Sequence, residues 1–245
     1  MITLYQHPVS PFCITIEAIL KYAKTEYRIV NLPYSDRRVI VEKTQGQSYK
    51  IPLLEEEGML VWDKTDLGQE IARYLDEKFT LDLFPPELEG LQAILARYIE
   101  NDVESVSFKL NDIDYESWLP DLYDRAMFVR HKERKFGPGC VAHWRDEKAA
   151  LKEQLEGLLA PLDQMLALRP FLLDDHPRFV DFDLLGILAN YTFSGQNQIP
   201  SRLTHLQQWR RQMNGECLGE NAPIQFPEHW KENVDDLDSS PHERR

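Results

Sequence analysis

The chain has 245 residues, of which 28% are charged and 42% are hydrophobic, and this composition is typical of a folded globular protein. The formal net charge of −13 argues against a broad nucleic-acid interface, while leaving room for a local basic pocket that holds a small anion. No apolar run is long enough to span a bilayer, and no basic-then-apolar leader is present. We therefore predict a protein with neither nucleic-acid nor membrane partners.

The three cysteines lie far apart, at positions 13, 140 and 217, and three thiols cannot all pair within one chain. Together with the lack of a leader, this predicts free thiols and a cytoplasmic location. Cys140 and His143 have metal-ligand types at helical spacing, but no second pair completes a site. We predict that no metal is bound.

The first elements predict a strand followed directly by a helix. Ile2 and Leu4 alternate with polar or aromatic neighbours, which is typical of a half-buried strand. Ser10 suits the N-cap of the helix, and Pro11 its first position, where a missing N–H does no harm. Cys13 then falls in the first turn, where free N–H groups and the helix dipole favour an anion. This geometry stabilises thiolates, either the protein's own or a ligand's.

The rest of residues 1–79 continues this alternation. Asp66 is the predicted N-cap of the last helix, with Gln69 completing a capping box. The predicted order is β-α-β-α-β-β-α. After the first helix it comprises a strand over 27–32, a short helix over 36–44, strands over 51–54 and 59–62 around a turn, and a helix over 66–75.

Proline-bearing residues 80–87 are predicted to form a linker, and only helical patterns of comparable strength follow it. We predict an all-helical domain over 88–215 and an extended C-terminal tail over 216–245. Pro161 interrupts one long apolar pattern and predicts a kink or a junction there.

Four motifs resemble those of the cytosolic glutathione transferases, in the same order and at similar spacing. Their positions are Ser10–Cys13 at the first helix, Lys50–Leu54 with its proline, Ile71–Leu75, and Arg169–Leu173 followed by Val180–Phe182. The resemblance implies a thioredoxin-like α/β domain followed by an all-helical domain. The Ser-Pro-Phe-Cys form, together with Phe136–Cys140, leans toward bacterial Ser/Cys-type branches that include β-etherase-like proteins.

The resemblance also implies a function and a site. Glutathione would be the co-substrate, held by Lys50, Ile51, Pro52 (with a cis peptide bond), Thr65 and Asp66. Ser10 would stabilise its thiolate for attack on a small hydrophobic electrophile in the helical domain. Family members are commonly homodimers. Candidates for an apolar pocket wall are Tyr98, Phe108, Trp118 and Tyr123.

Several alternatives stay open at this stage. Ser10 can be a plain helix cap, and Cys13 can be either a buried apolar residue or the nucleophile of a glutathione-dependent reductase or ether-cleaving enzyme. Leu67 and Gly68 stand where the family usually has an acidic residue and a serine, so a binding module that has lost glutathione is a third interpretation. The basic run over 130–135 is either a solvated helix end or the rim of a pocket for an acidic substrate.

Overall fold

The computed structural model describes residues 1–65, 68–119 and 121–218. Its first part has the predicted β-α-β-α-β-β-α order, which confirms that prediction. The elements are β1 (Ile2–Gln6), α1 (Pro11–Tyr22), β2 (Tyr27–Asn31), α2 (Arg38–Lys43), β3 (Leu53–Glu56), β4 (Met59–Trp62) and α3 (Glu70–Phe79).

The four strands form one mixed sheet in the order β2-β1-β3-β4. β1 and β2 are parallel, with Leu4 opposite Ile29, as a strand-helix-strand crossover through α1 requires. β3 runs antiparallel to both β1 and β4, and Gly58 closes the β3–β4 hairpin at a positive φ of 84°. Because β1 and β3 are antiparallel, the end of β1 lies beside the start of β3. Ser10 follows the end of β1 by four residues, and Pro52 directly precedes β3.

The described residues after position 85 are helical wherever they are regular, as predicted. Their main elements are α4 (Glu89–Arg97), a π-helical segment (Tyr98–Val103), α5 (Glu104–Tyr115), α6 (Leu122–Phe136), α7 (Cys140–Asp146), α8 (Lys148–Leu166), α9 (Phe179–Thr192), α10 (Thr204–Met213) and a π-helical turn (Asn214–Leu218). No described helix is long and apolar enough to cross a membrane.

Helix α9 is the centre of the molecule, and it is buried on every side from Phe179 to Tyr191. Helix α1 packs directly against it. A Cβ at Gly186 would come within 2.4 Å of the Pro11 carbonyl oxygen, so only glycine permits this approach of the two backbones. The Asn190 side chain also donates to the Val9 carbonyl oxygen at 2.6 Å. Helix α9 therefore holds the turn that carries Ser10.

The start of α9 is held by a buried carboxylate. Asp181 is fully buried and accepts hydrogen bonds from the main-chain N–H groups of Arg178 and Leu172, both at 2.9 Å, and from the Trp209 indole at 3.0 Å. Arg178 stands where the family usually has a serine or threonine cap. Its guanidinium instead pairs with Asp174 and Asp82, which ties the segment after α3 to α9.

One sequence prediction needs correction. Helix α3 begins at Glu70 with Gln69 at the N-cap position, so the start predicted at Asp66 is wrong. The physical reason is that the Asp63 carboxylate, from the end of β4, accepts from the Ile71 N–H at 3.1 Å and takes over the capping.

Helix α8 continues through Pro161 to Leu166, so of the two predicted alternatives the junction is excluded, and a kink stays a prediction. Asn214–Leu218, at the start of the predicted tail, is a π-helical turn in which the Cys217 side chain is 2% exposed. Residues 219–245 lie outside the described part of the chain.

Candidate active site

A cleft of about 720 Å³ lies between the α/β part and the helical part. One wall comes from α1, from the segment before β3 and from the segment before α3. The facing wall comes from the π-helical segment, α5, α6 and α9. A cleft of this size, with both apolar and charged walls, can hold a tripeptide-sized ligand.

The cleft brings together most of the residues that the sequence predicts for glutathione. Lys50, Ile51, Pro52 and Thr65 all line it on the α/β side. The Ile51–Pro52 peptide bond is cis, as predicted. Asp66, the remaining predicted residue, lies outside the described residues.

Ile51 offers main-chain groups to a ligand. Strand β3 begins only at Leu53, so Ile51 is not part of the sheet ladder. Among the described residues, neither its N–H nor its carbonyl has a hydrogen-bond partner. Half-buried main-chain groups usually find partners, and an extended peptide ligand in the cleft would supply them in the manner of an added strand. The residues present therefore fit a peptide-like ligand such as glutathione.

Beside the main cleft, nearer the start of α1, is a smaller cavity of about 220 Å³, which we call the inner chamber. Ser10 lines it, half-buried at the N-cap of α1. Its hydroxyl makes no capping hydrogen bond to the helix. The hydroxyl is thus not used for capping, which was the simplest alternative to a functional role. The two cavities share lining residues, namely Tyr34, Arg37, Ile51, Glu104 and Phe108.

Cys13 lines neither cavity, and its side chain is 0% exposed. Burial raises the pKa of its thiol to about 11, against the opposing effect of hydrogen bonding from the Ser10 side chain and the His7 main chain. A desolvated thiolate is costly, so the helix N-terminus does not overcome burial here. Cys13 faces the core, as its shared face with Ile16 and Leu20 indicates.

A buried polar network supports the Ser10 turn. His7 is 3% exposed, and its Nδ1 lies 2.9 Å from the Leu32 carbonyl oxygen while its Nε2 contacts the Tyr115 hydroxyl. Burial lowers the pKa of His7 to about 4. The neutral His7 ring forms hydrogen bonds through both nitrogens, one to the α/β part at Leu32 and one to α5 at Tyr115. These two hydrogen bonds hold the main chain before Ser10 in place.

Sequence reasoning missed Arg37, which lines both cavities. It lies just before α2, and among the described residues its guanidinium makes no ion pair and bonds only to the Pro33 carbonyl oxygen. Burial lowers its pKa from the usual value. In the sequence Arg37 lies next to the exposed Arg38 in a charged stretch, and nothing there distinguishes the two arginines.

The helical wall of the cleft is more acidic than predicted. Glu104, Glu100 and Asp183 all line it, and Asp183 is 1% exposed. Burial raises the pKa of Glu104 to about 7, and burial together with the two glutamates raises that of Asp183 well above its usual range. These carboxyls therefore carry less negative charge near neutral pH than the sequence implies.

The predicted apolar wall is largely wrong. Phe108 lines the cleft, whereas Tyr98, Trp118 and Tyr123 do not. Tyr98 donates to the Leu158 carbonyl oxygen at 2.7 Å, and Tyr123 is 63% exposed. The apolar residues that face the cleft from the helical side are Phe108, Met127, Phe136 and Phe179. Periodicity shows that a helix has an apolar face, but the packing of neighbouring helices decides which cavity that face meets.

The segment before α3 is crowded around Gly68. A Cβ at this position would lie 2.9 Å from the Asp63 Cβ and 2.4 Å from a Glu70 carboxylate oxygen. A serine would therefore not fit without movement of both residues. Asp63 is half-buried, and desolvation is the main cause of the rise of its pKa to about 6. Among the described residues, no group of three or more histidine, cysteine, aspartate or glutamate side chains is placed to hold a metal ion.

Residues 4–82 match the family model described as "Glutathione S-transferase, N-terminal domain". No curated protein matches the chain. Among solved structures, a glutathione S-transferase of Ceriporiopsis subvermispora, crystallised in complex with glutathione, is similar with a TM-score of 0.73 and 16% identity. That comparison covers 91% of this chain and 98% of the other. The chain has the glutathione S-transferase fold.

Two further structures show how widely this fold is shared. Glutaredoxin 2 of Salmonella typhimurium in complex with glutathione is similar with a TM-score of 0.71 and 16% identity, over 91% of this chain and 97% of the other. A class Gtt2 glutathione S-transferase of Vibrio parahaemolyticus is similar with a TM-score of 0.62 and 22% identity, over 91% and 97% of the two chains. The first is a glutaredoxin and the second a transferase, so the fold by itself does not separate the two chemistries.

Proposed function

We propose that this protein is a member of the glutathione S-transferase superfamily that activates the glutathione thiol for attack on an electrophile. The observation that carries the proposal is the combination of a Ser10 hydroxyl that lines the inner chamber at the start of α1, without capping the helix, with a buried Cys13 thiol. The chain presents a hydrogen-bond donor and a helix N-terminus at the site, but no exposed thiol of its own there. The reactive sulfur then comes from the ligand.

In this proposal the ligand lies along the cleft wall before β3. The main chain of Ile51 pairs with its cysteinyl main chain, and Lys50 takes its glycyl carboxylate. Thr65 and Asp66 hold its γ-glutamyl end. Ser10 then donates to the sulfur, and the dipole of α1 favours the thiolate. Binding both reactants in one cleft also supplies proximity, which accounts for much of the rate in such bimolecular reactions.

The first test is a calorimetric titration with glutathione. We expect a Kd below about 1 mM, since substrate affinities generally lie near cellular concentrations. Lys50→Met should weaken binding about tenfold through loss of one charge-assisted hydrogen bond, whereas the exposed Lys152→Met should leave it unchanged. If glutathione in excess gave neither heat nor a thermal shift, the transferase proposal would be wrong and the protein would be a non-catalytic binding module. The crowding at Gly68, which leaves no room for the usual serine, is the observation that favours this second candidate.

The second test separates Ser10 chemistry from Cys13 chemistry. We expect Cys13→Ala to keep at least half of the wild-type rate of conjugation with 1-chloro-2,4-dinitrobenzene, measured by absorbance. With a pKa of about 11, only about one Cys13 thiol in ten thousand is ionised at neutral pH. Loss of glutathione-dependent activity in this variant, with folding retained by circular dichroism, would instead support a reductase or ether-cleaving enzyme that uses Cys13.

Other parts of the proposal come from the sequence. A bacterial Ser/Cys-type assignment with a lean to the β-etherase-like branch, a cytoplasmic location and a homodimeric state follow from the resemblance and from the unpaired thiols. They stay predictions, and a sedimentation measurement would decide the oligomeric state.

A further inference from the structure

The inner chamber next to Ser10 has aromatic walls. Tyr34, Tyr115 and Phe128 meet there, with ring centroids 5.2 to 6.1 Å apart, and Phe108 closes the side toward the main cleft. Edge-to-face packing of this kind leaves flat surfaces on which another ring can stack. The chamber volume of about 220 Å³ exceeds the roughly 150 Å³ of an apolar cavity that holds benzene. It therefore has room for a substituted benzene ring.

Among the described residues, one cation of the chamber forms no ion pair. Lys132 lies 2.6 Å from Asp112, so these two charges compensate each other. Glu104 contributes only part of a negative charge near neutral pH, because burial raises its pKa to about 7. Arg37 has no ion-pair partner among the described residues, and one carbonyl oxygen occupies only one of its five N–H donors. A partly buried guanidinium with free donors is suited to a carboxylate.

A second buried group in the chamber also lacks a partner. The Asn111 side chain is 3% exposed, and its Oδ1 makes no hydrogen bond to the described residues. Buried acceptors of this kind are usually paired, and a ligand in the chamber could supply the donor. His131 and Lys135 line the main cleft on the same helical side as Glu100, Glu104 and Asp183, so this wall carries both basic and acidic groups.

We propose that the inner chamber binds the second substrate and that this substrate is a small aromatic carboxylate, its ring against Tyr34 and Phe108 and its carboxylate on Arg37. This inference rests on the proposed function, because the chamber becomes a substrate site only if glutathione occupies the main cleft. It also replaces the expected hydrophobic electrophile by an anionic one. A hydroxyl or amide N–H on the same ring would satisfy Asn111.

The test compares two probes of similar shape, of which one carries a carboxylate and the other a neutral amide. 4-Nitrobenzoate and 4-nitrobenzamide are titrated calorimetrically into the full chain, with and without saturating S-methylglutathione. We expect wild-type protein to prefer the carboxylate at least tenfold. Arg37→Met should remove this preference, and Arg37→Lys should restore part of it. The control is Arg38→Met, since Arg38 is the neighbouring arginine, 83% exposed and paired with Asp36.

The outcomes separate the two proposals. Suppose first that S-methylglutathione binds. If both probes then bind equally to wild-type protein, or if Arg37→Met lowers the affinity for both probes alike, the aromatic-carboxylate site is wrong. The transferase proposal stands in either case. If the carboxylate preference is present but S-methylglutathione fails to bind, the chamber is an anion site and the transferase proposal fails. Equal losses in Arg37→Met and Arg38→Met would show only general electrostatic attraction and would also overturn the site.

A kinetic comparison extends the test to catalysis. With 4-chloro-3-nitrobenzoate, the glutathione sulfur forms a bond to the ring carbon and chloride leaves with the bonding electron pair. We expect Arg37→Met to raise KM for this substrate at least tenfold while changing KM for 4-chloro-3-nitrobenzamide less than twofold. An equal change for both substrates would contradict the assignment of Arg37 to the carboxylate.

Discussion

Ser10→Ala should lower kcat/KM for conjugation of glutathione with 1-chloro-2,4-dinitrobenzene by about tenfold to hundredfold. The physical reason is the loss of one hydrogen bond to a developing thiolate, which contributes about 1.5–3 kcal/mol when the acceptor is charged. The hydroxyl makes no capping bond in α1, so its removal should cost the fold little. The glutathione thiol pKa, followed by absorbance of the bound thiolate, should rise in the same variant.

Two further variants make the Ser10 test specific. Ser117→Ala removes an exposed hydroxyl that donates to the Asp114 carbonyl oxygen at 2.6 Å, and it should leave the rate unchanged. Ser10→Thr keeps the donor and should retain part of the activity. An unchanged rate in Ser10→Ala, with glutathione still bound, would mean that the helix N-terminus alone activates the thiol.

Asp181→Ala should lower the free energy of unfolding by about 3–5 kcal/mol, the largest effect on stability that we expect from a single change. Three donors lose their acceptor at once, the N–H groups of Leu172 and Arg178 and the Trp209 indole, and burial keeps water from replacing it. Each unsatisfied buried group costs about 1–3 kcal/mol. Because α9 also supports the Ser10 turn, activity should fall with the folded fraction.

The measurement is urea denaturation followed by circular dichroism and by tryptophan fluorescence. Asp175→Ala is the matched control, because Asp175 is exposed in the same turn and its loss should change stability by less than about 0.5 kcal/mol. The loss of unfolding free energy in Asp181→Asn should lie between the losses in Asp175→Ala and Asp181→Ala, because asparagine keeps one acceptor oxygen. A loss below about 1 kcal/mol in Asp181→Ala would contradict the central role of this carboxylate.

The strands and helices of the first 79 residues were predictable because each rests on local signals. Alternating apolar residues mark β1, Ser10 and Pro11 mark the start of α1, and Gly58 marks the hairpin. The exception is the start of α3. Its cap is Asp63, seven positions before the first helical residue, and capping across such a loop has no local pattern.

The candidate site was predictable only where a motif carries it. Lys50, Ile51 and Pro52 are contiguous in the chain, so a single segment brings them to the cleft together. Arg37 and Asn111 were missed because they belong to separate elements whose approach depends on how α5 packs against the segment before α2. The prediction of the apolar wall failed for the same reason, since Trp118 is 44% exposed and lines neither cavity.

By itself, the sequence determined the order of the elements, the serine at the start of α1 and the inward face of Cys13, because these depend on propensity, capping and periodicity within a few residues. Only the tertiary structure decided what surrounds Ser10. Gly186 lets α9 approach α1, and the inner chamber forms where aromatic rings of α5, α6 and the segment before α2 meet Arg37 of that same segment. Contacts over such separations depend on the packing of whole elements, and no local pattern in the chain specifies them.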